Sequence, residues 1–250
     1  MKLLKLEFYK LHRKKMLLTM AIFLVMELLW VIWAVKSFTD RHGIDMGWED
    51  MMYNIIMMNC LFMPILIAIL TSRISDMEHK GENFKLLFTQ LTPKHLYEAK
   101  FLCVAILLAP LVIGQTAGII AIGEMFHFSK EIPVQQLLQF ILSTFTVNMC
   151  IASMQLWVSL VWPNQMTALI LGLAGSFLGI MSNFFPSGIS RLFLWSYYAQ
   201  TSVVLPQFND ENNTFLLFFK PMPLMPLIII IAAWMMFYSI GTIHFSRKEL

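Results

Sequence analysis

The sequence predicts an all-α membrane protein with six transmembrane helices and both termini cytoplasmic, and three observations carry that prediction. First, 58% of the 250 residues are hydrophobic and only 13% are charged, about half the charged share of an ordinary soluble domain. With a mean hydropathy of +0.68, much of the exterior must face lipid rather than water. Second, six apolar runs reach the ~20 residues that a helix needs to cross the hydrocarbon core: residues 16–37, 51–72, 100–123, 137–161, 166–185 and 224–244. Third, the basic residues sort by side. Lys2, Lys5, Lys10, Arg13, Lys14, Lys15, Arg73, Lys80, Lys85, Lys94, Lys100, Arg247 and Lys248 fall on the face of the termini, and only Lys36, Arg41, Lys130, Arg191 and Lys220 on the other. Thirteen against five orients the termini inward by the positive-inside rule, and explains the net charge of +3 without nucleic acid. The same composition excludes a disordered chain, and Cys60, Cys103 and Cys150 all lie in apolar runs, which excludes a disulfide-stapled secreted module.

Residues 2–14 come first. Leu4, Phe8 and Leu11 recur at i, i+4, i+7 opposite Lys2, Lys5, Tyr9 and Arg13, the pattern of an amphipathic helix in the membrane interface, or of an anchor that only fixes orientation. Glu7 falls on the apolar side by angle, which the sequence alone does not explain. The first span follows. It is longer than the 7–15 apolar residues of a cleaved signal and lacks a small-x-small site before Lys36, so it reads as a span. Within it, Glu27 is the one acidic residue far from a span end. An ionisable group at that depth serves transport or subunit coupling, or is held by structural hydrogen bonds. Asn59, Gln115, Asn148 and Gln155 are candidate interhelical hydrogen-bond partners.

Between spans two and three lies the cytoplasmic segment 73–100. Phe84, Leu87, Phe88 and Leu91 recur at i, i+3, i+4, i+7, and Thr92-Pro93 ends the stretch, which predicts a short amphipathic helix. Mixed flanking charges, Asp76, Glu78 and Glu82 against Lys80 and Lys85, suit a protein-docking surface or a helix resting on the membrane. Further on, Gly114-x-x-x-Gly118 and Gly175-x-x-x-Gly179 permit close helix approach, between chains or within one. The external segment 186–223 has two apolar patches, Leu192 to Tyr198 and Phe215 to Phe219, each too short to span. They read as interfacial or re-entrant pieces held at headgroup depth by Trp195, Tyr197 and Tyr198, serving as a substrate contact surface or as an aromatic belt. Asn212-Asn-Thr is a formal N-x-S/T acceptor with nothing else to support a glycan.

The chain holds no G-x-x-x-x-G-K-S/T loop for ATP, no H-E-x-x-H, no Cys/His cluster at ligand spacing and no G-x-S-x-G elbow. No cofactor or metal is therefore expected on this chain, and no catalytic residues.

The opening LLKLEFYKLHRKK, with Glu7, Lys10 and Arg13 in an E-x-x-K-x-x-R arrangement, resembles the start of permease subunits of ABC exporters of the second major type, in particular those of lantibiotic immunity transporters. The stretch MEHKGENFKLLFTQLTPKHLYEAK resembles their characteristic cytoplasmic segment, with Glu78, Asn83-Phe84-Lys85, a leucine pair, Pro93 and Lys100 opening the third span. In place of the usual proline-small-residue turn it has Thr92-Pro93-Lys94-His95. The resemblance implies that 2–14 is an elbow helix resting on Leu4, Glu7, Phe8 and Leu11. It implies that 75–91 is a coupling helix in which Glu78, Phe84, Lys85, Leu87, Phe88 and Leu91 meet a separate cytoplasmic ABC ATPase. Two ATPase copies carrying ATP and Mg, and a second permease, related or identical, would complete an exporter in the bacterial cell membrane. Its expected substrate is an amphipathic antimicrobial peptide taken from membrane lipid. Export of another drug, lipid or ion, or a non-transport sensor or assembly role, stands as the alternative.

Overall fold

In lipid every backbone N–H and C=O must find its partner within its own segment, and the apolar runs accordingly fold as helices. The computed structural model describes residues 2–12, 14–42, 47–79, 92–128, 130–209 and 214–247. In chain order these form α1 (Lys2–His12), α2 (Met16–His42), α3 (Trp48–His79), α4 (Pro93–Met125), α5 (Val134–Val161), α6 (Gln165–Met181), α7 (Ser187–Ser190), α8 (Tyr197–Gln200), β1 (Val204–Asn209), β2 (Thr214–Phe219) and α9 (Leu224–Ser246). Single 3-10 turns at Ser182–Phe184 and Leu194–Ser196 join the short pieces. Six helices, α2 to α6 and α9, are long and apolar enough to cross a membrane, and the chain is a multi-pass membrane protein.

Several helices outrun the apolar runs that announced them. Pro93 opens α4 at the first helical position, where its missing N–H costs nothing, so this helix starts seven residues before residue 100. At the other end of the loop, α3 continues past its apolar run through Ile74, Ser75, Asp76 and Glu78 to His79. Residues 75–79 of the predicted coupling helix are thus the last turn of a spanning helix, and residues 80–91 lie outside the described residues. Asn164 caps α6, its side chain accepting from the Met166 N–H at 3.0 Å.

The centre of the bundle is α3 and α5, with 67% and 72% of their membrane windows buried, whereas α2 and α9 bury 22% and 17% and form the periphery. The central helix α5 can sit there because its hydroxyls turn back on its own carbonyls: Ser143 donates to Phe140 O, Thr146 to Leu142 O and Ser153 to Cys150 O. Both glycine patterns are used within the chain. Leu24 and Leu28 of α2 seat on Gly114 and Gly118 of α4, and Trp195 seats on Gly175 and Gly179 of α6. A second permease is not needed to account for either.

In 186–223, Trp195, Tyr197 and Tyr198 turn into the bundle rather than outward. They are 8%, 1% and 3% exposed and join the core cluster around Cys60, Met63 and Cys150, because the glycines of α6 leave a slot that an indole fills. Beside the helices, residues 204–209 and 214–219 pair as antiparallel strands, with Val204 opposite Phe219 and Asn209 opposite Thr214. Two runs rich in Val, Leu and Phe flank the polar Asn209-Asp-Glu-Asn-Asn213, a combination that favours pairing across a turn. Tyr97 of α4 packs against Phe245 of α9, so the start of α4 and the end of α9 lie at one end of the bundle, where α1 and the last turn of α3 join them. The turn from α1 to α2 at that end puts Lys15 at φ 52°, a left-handed conformation, and Arg73 holds it by donating to the Lys14 carbonyl at 3.1 Å.

Candidate functional site

At this end of the bundle four charged side chains from three elements meet out of water. Glu7 lies on the inner face of α1, so the angle that looked anomalous in the sequence aims its carboxylate at the start of α4. Its Oε2 accepts from Lys100 Nζ at 3.0 Å and its Oε1 from Lys10 Nζ at 3.0 Å. Glu78, on the last turn of α3, places Oε1 at 2.7 Å from Lys10 Nζ and 2.9 Å from Lys100 Nζ. Lys100 also donates to the Ile74 carbonyl at 3.2 Å. Glu7, Glu78 and Lys100 are buried, and Lys10 is a quarter exposed.

Two carboxylates and two ammonium groups make the quartet neutral in formal charge, which is the condition under which ions tolerate burial. Burial alone would lower the Lys10 ammonium. The hydrogen bond to Glu78 and the nearby charges of Glu7 and Glu78 outweigh it, and the net shift is upward. The cluster continues outward, with Lys14 Nζ 3.8 Å from Asp76 Oδ2 and the Arg73 guanidinium on the Lys14 carbonyl. Around it Leu11 is buried, and Leu4 and Phe8 pack half-buried on the core. Glu78 stands two residues before residue 80, on the last described turn of α3, and joins that turn to α1 and α4. Neutral ion clusters of this kind favour one relative placement of their elements, because a separated charge would be left bare.

A second polar cluster lies in the middle of the bundle. Gln115 of α4 donates from Nε2 to Glu27 Oε2 of α2 at 2.6 Å and to Asn59 Oδ1 of α3 at 2.8 Å. All three are buried. Nearby, the Tyr198 hydroxyl donates to Asn148 Oδ1 of α5 at 2.6 Å. Gln155, the remaining amide expected to bond between helices, faces Ala168 and Gly172 of α6.

The structure therefore gathers Glu7 with Glu78, and Glu27 with Asn59 and Gln115, and it puts Trp195, Tyr197 and Tyr198 in the core. Of the expected coupling residues, Phe84, Lys85, Leu87, Phe88 and Leu91 lie outside the described residues. Lys10 and Lys100 are the quartet members that sequence reasoning did not single out as partners. The signals were Lys10 three residues after Glu7, a helical neighbour, and Lys100 at the start of an apolar run. Among the described residues, no group of three or more His, Cys, Asp or Glu could hold a metal ion.

A comparison with curated proteins finds no match. The family model described as ABC-2 family transporter protein matches residues 3–179, which takes in α1 through most of α6, the whole quartet, and Glu27, Asn59, Gln115 and Asn148. The match spans well over half of the chain, and the protein therefore belongs to the ABC-2 family of transporters as a membrane permease subunit.

Proposed function

We propose that this chain is the permease of a bacterial ATP-driven exporter that expels lantibiotic-type antimicrobial peptides from the membrane, with both termini and the α3–α4 connection in the cytoplasm. The observation that carries this reading is the quartet. A buried, neutral junction of α1, α3 and α4 lies at the end that the positive-inside rule assigns to the cytoplasm, beside the stretch that resembles a coupling helix. ATP and Mg are bound by two copies of a separate ABC ATPase, and a second permease, related or identical, completes the pore. Closure of the ATPase dimer moves residues 80–91, Glu78 conveys the movement to Lys10 and Lys100, and the bundle shifts between states of different substrate affinity. Phe84, Leu87, Phe88 and Leu91 are the docking stripe, Lys85 is a polar contact at its edge, and α1 is the elbow helix.

Replacing Phe84 and Phe88 with Asp tests the coupling assignment: the variant should insert normally but fail to co-purify with the ATPase encoded beside it, and undiminished co-purification refutes the assignment. For the substrate, cells carrying the complete operon should survive lantibiotics better than cells lacking this chain. Equal survival across several such peptides discards the peptide reading and leaves the permease.

A further inference from the structure

The mid-bundle cluster has hydrogen-bonding capacity that the fold does not use. Both hydrogens of the Gln115 amide are spent, on Glu27 Oε2 and Asn59 Oδ1. Among the described residues, Glu27 Oε1 and Gln115 Oε1 are buried acceptors with no partner, and Asn59 Nδ2 is a buried donor with none. Glu27 is 2% exposed and Asn59 and Gln115 are fully buried. Among the described residues no Lys, Arg or His forms an ion pair with Glu27, whereas Glu49 has one and Glu7 and Glu78 have two each. A carboxyl group at this depth carries a proton or a counter-cation, and buried polar atoms left unpaired are costly.

We propose that Glu27 and Gln115 form the acceptor half of a membrane-embedded site for the primary ammonium group of an amphipathic substrate, with Asn59 available to a neighbouring carbonyl oxygen. An ammonium has three donors and no acceptor, so it can satisfy Glu27 Oε1 and Gln115 Oε1 at once while supplying the charge that the carboxylate lacks. A quaternary ammonium supplies the charge without the donors, and an alcohol supplies one donor without the charge.

The way in is the seam between α2 and α4. Leu24 and Leu28 sit there on Gly114 and Gly118, contacts without side chains on the α4 side. Val25, Met26 and Leu29 cover the outer face of α2 and are exposed. The polar contact across this seam is the Glu27–Gln115 bond itself, which the ligand replaces in kind. As a substrate site this rests on the export reading, but the binding it predicts is measurable without transport.

The test is binding of labelled dodecylamine to the full chain in phosphatidylcholine nanodiscs at neutral pH, with dodecyltrimethylammonium and dodecanol as competitors of equal tail length. In the wild type the amine should bind roughly tenfold or more tightly than either, the preference expected for hydrogen bonds to a charged acceptor. Glu27→Gln should abolish the preference while leaving insertion and melting temperature intact, and Glu27→Asp should keep it in weakened form. Equal binding of amine and alcohol to the wild type leaves a proton as the counter-charge and overturns the proposal, as does a preference that survives in Glu27→Gln. Should Glu27→Gln fail to insert, the wild-type ranking of the three amphiphiles decides alone. A chain that shows the preference but never associates with an ATPase upholds the site and overturns the export reading. The reverse result overturns only the site.

Discussion

Removing the Lys100 ammonium should be the most damaging single change at the junction of α1, α3 and α4. In Lys100→Met the side chain keeps its length and apolar stem, but Glu7 loses the 3.0 Å contact on Oε2 and Glu78 loses a 2.9 Å contact on Oε1. Two buried carboxylates then share Lys10 alone, and one negative charge is uncompensated where all three of the original partners are 0% or 1% exposed. Breaking a buried pair by deleting one member costs about 3–5 kcal/mol. For a chain of this size that corresponds to a melting temperature lower by roughly 6 °C or more. The control is Lys94→Met, which removes a 3.9 Å pair with Glu98 whose members are 63% and 39% exposed. Solvent screening leaves such a pair worth about 0–0.5 kcal/mol. The assay is thermal unfolding of the purified chain in detergent, followed by intrinsic fluorescence. The double variant Glu7→Gln with Lys100→Met restores neutrality and should recover part of the loss, a coupling readable as a double-mutant cycle. If Lys100→Met is no worse than Lys94→Met, the quartet does not hold these elements together, and the conveyance of motion through Glu78 fails with it.

Two further outcomes follow from other sites. Gly175→Ala puts a methyl group into the Trp195 indole, and overpacking of this kind should cost about 1–3 kcal/mol; a melting temperature equal to wild type would contradict the seating of Trp195 on α6. The pH dependence of Lys10 has a defined sign: its folded value is raised above 10.5, so its contribution is fully present below pH 10.5 and is lost as pH rises through the folded value. The stability gap between wild type and Lys10→Met should therefore hold steady from neutral pH up to about 10.5 and shrink above it, as measured by melting across an alkaline series.

Much of this architecture was open to inspection in the sequence, and the reason is physical. A bilayer imposes one length and one composition on every span, so Met16–Ser37 or Leu224–Ser246 announces itself with no knowledge of its neighbours. What was not legible depends on contacts distant in sequence. Glu7 looked misplaced on its helix because its fully buried partner, Lys100, is 93 residues away. The strand pair was hidden by its flanks, since two six-residue apolar strands have the same composition as fragments of a span. The burial of Trp195 was not legible because it depends on a slot that Gly175 and Gly179 make in another helix. Glu27 stood out because a charge in a span is rare, yet its bond to Gln115 lies 88 residues away.

The seating of Trp195 on Gly175, and of Phe245 beside Tyr97, bears on the order in which the ribosome can finish this protein. Gly175 emerges as a hole in the side of α6, and the indole that closes it is made twenty residues later. Tyr97, near the start of α4, waits for almost 150 more residues before α9 covers it. Synthesis at about 5–20 residues per second leaves these surfaces open for seconds after their own helices have entered the membrane. A nascent chain stopped at residue 179 would carry every residue of the family match and still have an unfilled groove along α6. The bundle is therefore closed from its carboxyl end, and insertion factors that shelter half-made spans are the cellular machinery on which its yield should depend.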